Sequence, residues 1–349
     1  MSHKITFGIL AVISLAFGIS QGPAPTSSSY IVQGASVDSV AAIVRSAGGE
    51  ITHELGIIRS VGATLTAAQA AALEGQEGVY RIFADSAVEV AGKPDKGPDK
   101  DPGTSGNGVQ ETHYPTNVLA DAAHYYGITG QGVGIAVLDT GLWKHDGIKN
   151  DTASNPRLDV VYNAIADEVA SSPMSGDDPG GHGSHVASIA VSSLLSDYGN
   201  YNGIAPDAHL ISVQAFDEYG NGTYADVVRA IDWIVANKAA HNVRVINLSF
   251  SAAVRSHYWD DPINQAVMAA WQQDIVVVAA AGNSGPTAMS IGVPGNVPYV
   301  ITVGAMTDNY TPSDFSDDSL ASFSSAGPTY EGFVKPDVVA PGGHMLGLM

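Results

Sequence analysis

Three polar residues stand at the endings of strands or turns. Asp139 closes GVGIAVLD and is followed by Thr140-Gly141. His182 lies between glycines in GGHGSHVASIA, where His185 is expected to begin a small-residue helix. Asn283 follows VVVAAAG. A carboxylate at the end of a buried run is costly unless it has a partner. Glycines beside an imidazole let a substrate or another backbone come close. An Asn amide at a strand end can donate a hydrogen bond into a cleft. Singly, each is an ordinary turn or packing residue. Together the types fit acyl transfer: the Asp holds an imidazole in one tautomer, the His takes a proton from a hydroxyl nucleophile, and the Asn steadies an oxyanion. A metal site fits poorly, because His182 and His185 are spaced H-x-x-H with no Glu between them.

The runs that these residues end belong to a repeating pattern. From about residue 110, VGIAVLD, AHLISVQAF, VRVINLSF, DIVVVAAAG and YVITVGA alternate with the helical stretches TYADVVRAIDWIVANKAA and PINQAVMAAWQQ. Near-continuous apolar strands separated by helices make a parallel sheet covered on both faces. The expected fold class is therefore α/β, doubly wound, with a mostly parallel sheet and helices on both faces. Ligands of such sheets bind beyond the carboxyl ends of the strands, where Asp139 and Asn283 fall. Gly130, Gly132 and Gly134 invite a dinucleotide reading, but they precede their strand, the wrong order for a phosphate on a helix N-terminus.

A smaller unit over 27–91 comes first. SYIVQG, GEITHELGII, SVGATLT and GVYRIFA read as strands, and SVDSVAAIVRSAG, with Ser36 as N-cap, and TAAQAAALEGQ read as helices. The order β-α-β-β-α-β is that of a ferredoxin-like α+β unit. Residues 92–108, GKPDKGPDKDPGTSGNG, carry Gly, Pro and charge without periodicity and are expected to be a linker open to proteolysis. At the start, MSHK, the apolar run ITFGILAVISLAFG and the small residues Ala16, Gly18 and Ser20 have the order of a secretory signal peptide, assigned to 1–22. The protein is thus expected to be secreted, extracellular or periplasmic. The chain has no cysteine, which removes disulfides and thiol catalysis. Its 35 acidic and 15 basic residues give a formal net charge of −20, a surface that repels nucleic acid and anionic lipid. Neither nucleic acid nor a membrane is an expected partner of the mature form.

LDTG, GHGSHVA and AAAGNSG, in that order, resemble the Asp, His and oxyanion-Asn motifs of the subtilisin-like serine proteases. KPDVVAPG, over 335–342, is similar to the segment that precedes the family's catalytic serine, and the small first unit resembles its inhibitory propeptide. The resemblance covers residues 29–349. It implies Asp139 and His182 as triad residues and Asn283 as the oxyanion donor. Gly220, Asn221 and Gly222 would form one edge for an extended peptide, Ser249, Phe250 and Ser251 the opposite edge, and Ala280, Ala281 and Gly282 a wall of the P1 pocket, so that substrate docks by strand addition. Where the family often has Leu-Gly this chain has Phe250-Ser251, which alters the pocket. Implied too are polypeptide substrates, a propeptide (27–91) acting as intramolecular inhibitor and cut between about Asp85 and Lys100, no cofactor for the chemistry, structural Ca²⁺ in some members, and a monomeric mature form.

The family's serine lies in a G-T-S-x-A motif that opens a helix. No such motif occurs through Met349, and the one Gly-Thr-Ser, Gly103-Thr104-Ser105, lies in the linker. The expectation is a secreted endopeptidase precursor whose catalytic domain, 109–349, is incomplete at its C-terminus. The alternative is a catalytically dead peptide-binding protein or the product of a decayed gene. The acidic loops DDPGG (177–181) and SDFSDD (313–318) offer carboxylates to Ca²⁺ but lack EF-hand spacing, and solvated acidic loops are the simpler reading.

Overall fold

The computed structural model describes residues 26–92, 113–173, 176–196, 199–309, 311, 314–343 and 345–347. The expected signal peptide, nearly all of the expected linker and Gly103-Thr104-Ser105 lie outside the described residues.

The first unit is built from β1 (Ser27–Gly34), α1 (Val37–Ser46), β2 (Glu50–Leu55), a 3₁₀ turn at Gly56–Ile58, β3 (Ser60–Thr66), α2 (Ala67–Leu73) and β4 (Val79–Ala84). Its sheet has the order β2-β3-β1-β4, every neighbouring pair antiparallel. Both helices start where the sequence says they must. Ser36 and Ser39 form a capping box on α1, and Thr66 and Gln69 form one on α2, each satisfying two amides that a helix start leaves open. Val40, Ala41 and Val44 of α1 bury against Val32, Val61, Ala63 and Leu65 of the sheet. This small core belongs to the unit alone.

Strand β5 (Ala87–Val90) follows, and then the larger domain: α3 (Tyr114–Asn117), α4 (Ala120–Tyr125), β6 (Gly134–Asp139), α5 (Asp146–Lys149), β7 (Leu158–Asn163), β8 (Glu168–Val169), α6 (His182–Val191), β9 (His209–Gln214), β10 (Asn221–Thr223), α7 (Tyr224–Asn237), β11 (Val243–Leu248), β12 (Phe250–Ser251), α8 (Pro262–Trp271), β13 (Val276–Ala280), β14 (Ile301–Thr307), β15 (Ser319–Leu320) and β16 (Val338–Pro341). The main sheet runs β15-β14-β13-β11-β6-β9-β7-β8, with β16 also on β14. Its interior pairs are all parallel, and only the short β8 and β15 are antiparallel.

The alternation of side chains along β6 shows why the strands read as continuous apolar runs. Ala136 and Leu138 face one way, into a core shared with Val227, Val228 and Ile231 of α7 and Ile263 and Val267 of α8. Val137 faces the other way, against Ala187 and Val191 of α6. With helices on both faces, no position along the strand is free to be polar until its carboxyl end. That end is Asp139.

Candidate active site

Asp139 is 1% exposed, and its Oδ1 sits 2.6 Å from Nδ1 of His182 and 2.8 Å from the amide of Thr140. The partner that a buried strand-end carboxylate requires is therefore present. His182 is the first residue of α6, three residues earlier than the helix start expected at His185. Gly181 makes this possible by taking the left-handed conformation, φ +75°, as N-cap. Gly183 serves close packing: a Cβ there would stand 2.3 Å from the Gly141 carbonyl oxygen. The backbone admitted by the glycine is thus that of the turn following Asp139.

A second carboxylate holds this arrangement. Asp178, buried, accepts from Thr140 Oγ1 at 2.7 Å, from the amide and hydroxyl of Ser184 at 2.8 and 2.7 Å, and from the amide of Gly181 at 3.1 Å. Thr140 Oγ1 in turn accepts from the amide of Gly183 at 2.9 Å. The open amides at the start of α6 and the turn after β6 are tied through one anion, which suits the positive end of a helix. Sequence reasoning treated this loop as solvated, or as a source of Ca²⁺ ligands. Asp177 is exposed, but Asp178 is buried and its oxygens are taken by protein donors, so the solvated reading fails for Asp178. Among the described residues no cluster of three or more His, Asp or Glu is arranged to hold a metal ion.

The imidazole has acceptors on both sides. Its Nε2 lies 2.7 Å from the carbonyl oxygen of Ala91. Burial pulls the pKa of His182 down, but the hydrogen bond and charge of Asp139 and the Ala91 carbonyl outweigh it, and the net shift is upward. With an acceptor at each nitrogen, the protonated ring satisfies both bonds.

Ala91 reaches this point because β5 is the middle strand of a three-stranded sheet, β10-β5-β12, antiparallel to both neighbours. Gly220 accepts from the amide of Val90 at 3.0 Å, Asn221 pairs with Glu89, and Gly222 pairs with Val88. On the other side, Ser249 accepts from the amide of Ala91 at 2.9 Å, Phe250 pairs with Val90, and Ser251 pairs with Glu89. The two expected peptide-binding edges are therefore brought together, and a segment of the chain itself lies between them. Val88 is 1% exposed, in one cluster with Phe216, Tyr224 and Phe250.

Asn283 lies at the far end of the strand. With both ends of its amide satisfied, its oxygen accepts from the Gly92 amide at 2.9 Å and its nitrogen lies 3.3 Å from the Gly282 carbonyl. Donation into the cleft instead would take a half-turn of the amide about a soft terminal torsion. A cavity of about 480 Å³ opens beside Ala91, lined by residues that include Ser251, Val254, Asn283, Met289 and Gly292. Ala280, Ala281 and Gly282 do not line it. The Ser251 hydroxyl stands between, 2.8 Å from where a Cβ on Gly282 would be and 2.0 Å from one on Gly292. Ala280 and Ala281 instead form the end of β13 and its continuation along β14.

The sequence matches the Subtilase family (peptidase S8) over residues 130–348. The chain belongs to the subtilase family. It is 40% identical to serine protease AprX of Bacillus subtilis (strain 168) over 226 residues, 63% of this chain and 48% of that protein. It is 33% identical to subtilisin E of the same organism over 229 residues, 65% of this chain and 51% of that one. The chain thus spans about half the length of the curated relatives it matches. In structure it resembles fervidolysin of Fervidobacterium pennivorans, a keratinolytic enzyme related to subtilisin, with a TM-score of 0.64 at 21% identity over 93% of this chain and 50% of that one. At that identity the likeness speaks for the subtilisin-like fold.

Three features escaped the sequence reading: β5 as a strand, Ala91 as the residue that meets His182, and Asp178 as the anchor of α6. AVEVA, at 87–91, sets two valines two residues apart about a polar Glu89 and was a usable signal for the strand. Nothing in the sequence distinguishes Asp178 from Asp177.

Proposed function

We propose that this subtilase is a serine endopeptidase made as a secreted precursor, and that residues 27–91 are its ferredoxin-like intramolecular inhibitor. The observation that carries the reading is the Ala91 carbonyl, 2.7 Å from Nε2 of an imidazole whose Nδ1 is held by a buried carboxylate. A carbonyl oxygen of the tail thus meets the imidazole where a nucleophile's hydroxyl would stand, if His182 is the general base and Asp139 fixes its tautomer. In the reaction a serine hydroxyl gives its proton to His182 and attacks the carbonyl carbon. The imidazolium formed, stabilised by Asp139, then protonates the departing amine. Asn283, its amide turned, donates to the oxyanion. Polypeptides dock as β5 does, by backbone pairing with Gly220–Gly222 and Ser249–Ser251. This chemistry needs no cofactor. It does need a hydroxyl nucleophile, and among the described residues the recorded partner of Nε2 is Ala91 alone.

That last observation also suits a second reading, a peptide-binding protein without chemistry. A fluorophosphonate reagent, which marks an activated serine, separates the two when applied to the full gene product. Covalent labelling that disappears in His182→Ala, together with hydrolysis of casein, is the expected result. Absence of label in protein that still binds extended peptides supports the second reading and overturns the first.

A further inference from the structure

We infer that Asn221–Gly222, in the edge that grips β5, is a site of deamidation that the tail holds shut and that opens when the tail leaves. The inference needs no serine and no cut bond, so it stands whether the cleft hydrolyses peptides or only binds them.

Asn-Gly is the dipeptide most open to this reaction, because glycine leaves its own amide nitrogen unshielded and its backbone free to turn that nitrogen onto the Asn side-chain carbon. The chain holds three such pairs: Asn107-Gly108, outside the described residues, Asn202-Gly203 and Asn221-Gly222. The last two differ in what occupies the glycine nitrogen. Gly203 donates to Ser192 O at 2.9 Å, inside the α/β domain, and Asn202 is 6% exposed. Gly222 lies in β10, whose neighbour in its sheet is β5. Val90 donates to Gly220 O and Tyr224 donates to Ser86 O, each at 3.0 Å, with Asn221 opposite Glu89 and Gly222 opposite Val88. Bonded pairs alternate along an antiparallel ladder, so Gly222–Val88, midway between those two, is bonded as well, and the Gly222 N–H is held by Val88 O. Attack requires that nitrogen to lose its proton and the strand to rotate out of the extended form. The ladder prevents both. Asn221 shares its face with Glu89, which is open to solvent, so water reaches the site.

The glycine cannot be exchanged to escape the reaction. A Cβ on Gly222 would stand 2.4 Å from the Ala215 carbonyl oxygen and 2.9 Å from Phe216 Cδ1. Close packing of β10 on the segment after β9 therefore fixes the labile pair in place.

The step balances as follows. Gly222 N bonds to Asn221 Cγ, the Cγ–Nδ2 bond breaks, and ammonia departs with the Gly222 amide proton. Water opens the cyclic imide at either carbonyl, leaving aspartate or isoaspartate at 221. Nothing is oxidised or reduced. Isoaspartate routes the main chain through the side-chain carbon. That added main-chain carbon breaks the spacing on which the pairs with Val88 and Val90 rest. The edge then loses its grip on extended segments.

The test uses the full chain carrying His182→Ala, so that no cut complicates it, with and without Val88→Asp, which puts a carboxylate among Phe216, Tyr224 and Phe250 and drives the tail out. Both proteins are aged in mildly alkaline buffer. Isoaspartate at 221 and at 202 is read by mass spectrometry of fragments and by isoaspartyl methyltransferase labelling, and hydrogen exchange at Val90 reports the tail. Conversion at Asn221 is expected to be at least about tenfold faster with Val88→Asp, and unchanged at Asn202. Adding Asn221→Gln should abolish it and preserve binding of a synthetic SAVEVA peptide (86–91), which the aged Val88→Asp protein loses. Equal rates at Asn221 in the two proteins, with Val90 deprotected, overturn the inference. A parallel rise at Asn202 assigns the reaction to loosening of the whole domain and overturns it too. If Val88→Asp leaves Val90 protected, Val90→Asp is added to remove the second anchor, and the same comparison decides.

Discussion

The N-terminal unit meets the α/β domain in two places that differ in kind. Its body rests on helices α7 and α8 through side chains. Asp232 faces the amides of Gly56 and Ile57, His53 meets Asp226 at 3.1 Å, Arg229 donates to Thr52 O at 2.8 Å, and Gln33 donates to Gln265 at 2.8 Å. Ile31, Leu55 and Ile58 join the large core there. Its tail, β5, touches the cleft almost entirely through backbone, with two valines as anchors. The body contact is specific to this pair of surfaces, since each polar group needs its own partner. The tail contact would serve any extended chain with apolar residues two apart. Under the function proposed above, an inhibitor that blocks a cleft for many peptides with one and the same segment needs both: the tail fits the site and the body supplies the address.

The comparison breaks most sharply at Val88. Val88→Asp places a carboxylate with no partner among Phe216, Tyr224 and Phe250, at a cost of about 3 kcal/mol or more. The tail is expected to leave the cleft while the body stays. Hydrogen exchange reads this residue by residue and needs no catalysis. The amides of Val90 and Ala91 should lose protection by about 10²-fold, while those of β1 and β3 keep theirs. Equal loss in both places would mean that tail and body are one cooperative unit, and the distinction would fall.

Acidity sharpens it next. The folded-state pKa of His182 is raised, so the stabilisation it contributes is full below the unfolded value, near 6.5, and is lost as pH rises through the raised folded value. The bond at stake is the one from the imidazolium to Ala91 O, worth about 1.5 kcal/mol for a charged donor. After correction for intrinsic exchange, protection of Val90 and Ala91 should fall about tenfold across that window. His182→Gln should flatten the curve. A pH dependence unchanged in that variant would remove His182 from the account.

Which parts were legible follows the same division. The parallel sheet showed in runs such as GIAVLD and VVVAA because burial on both faces forces every residue to be apolar. Asp139 showed because a polar residue that ends such a run is conspicuous, and His182 because it stands between glycines. Pairings between distant segments are written more faintly. AVEVA reads as a strand only once β10 and β12 are in place to receive it, and each of those is three residues or fewer. Asp178 was hidden for a different reason: its burial depends on where Thr140 and Ser184 bring their hydroxyls, which no local pattern in DDPGG records. The three-residue error at the start of α6 has a local cause. Gly183 lowers helix propensity and pushes the expected start past it, whereas close packing on Gly141 makes that glycine a requirement of the helix.

Within the body contact the polar groups are not equal, and two substitutions rank them. His53 and Asp226 are only 13% and 11% exposed as side chains. Removing the imidazole in His53→Ala leaves Asp226 with Thr223 Oγ1 at 2.8 Å, so the expected loss is about 1 kcal/mol, read from the urea midpoint at constant slope. The ion pair of Arg81 with Asp260 has the shorter contact and the smaller value, because Arg81 is 46% exposed and water competes for its guanidinium. Arg81→Ala should shift the midpoint by no more than about 0.5 kcal/mol, and salt near 0.5 M should erase the difference between it and the parent. If Arg81→Ala instead costs more than His53→Ala, charge attraction at the rim holds the unit in place more than fitted polar contacts do. The address would then be electrostatic, and a chain of −20 net charge would be expected to accept other basic segments at the same spot.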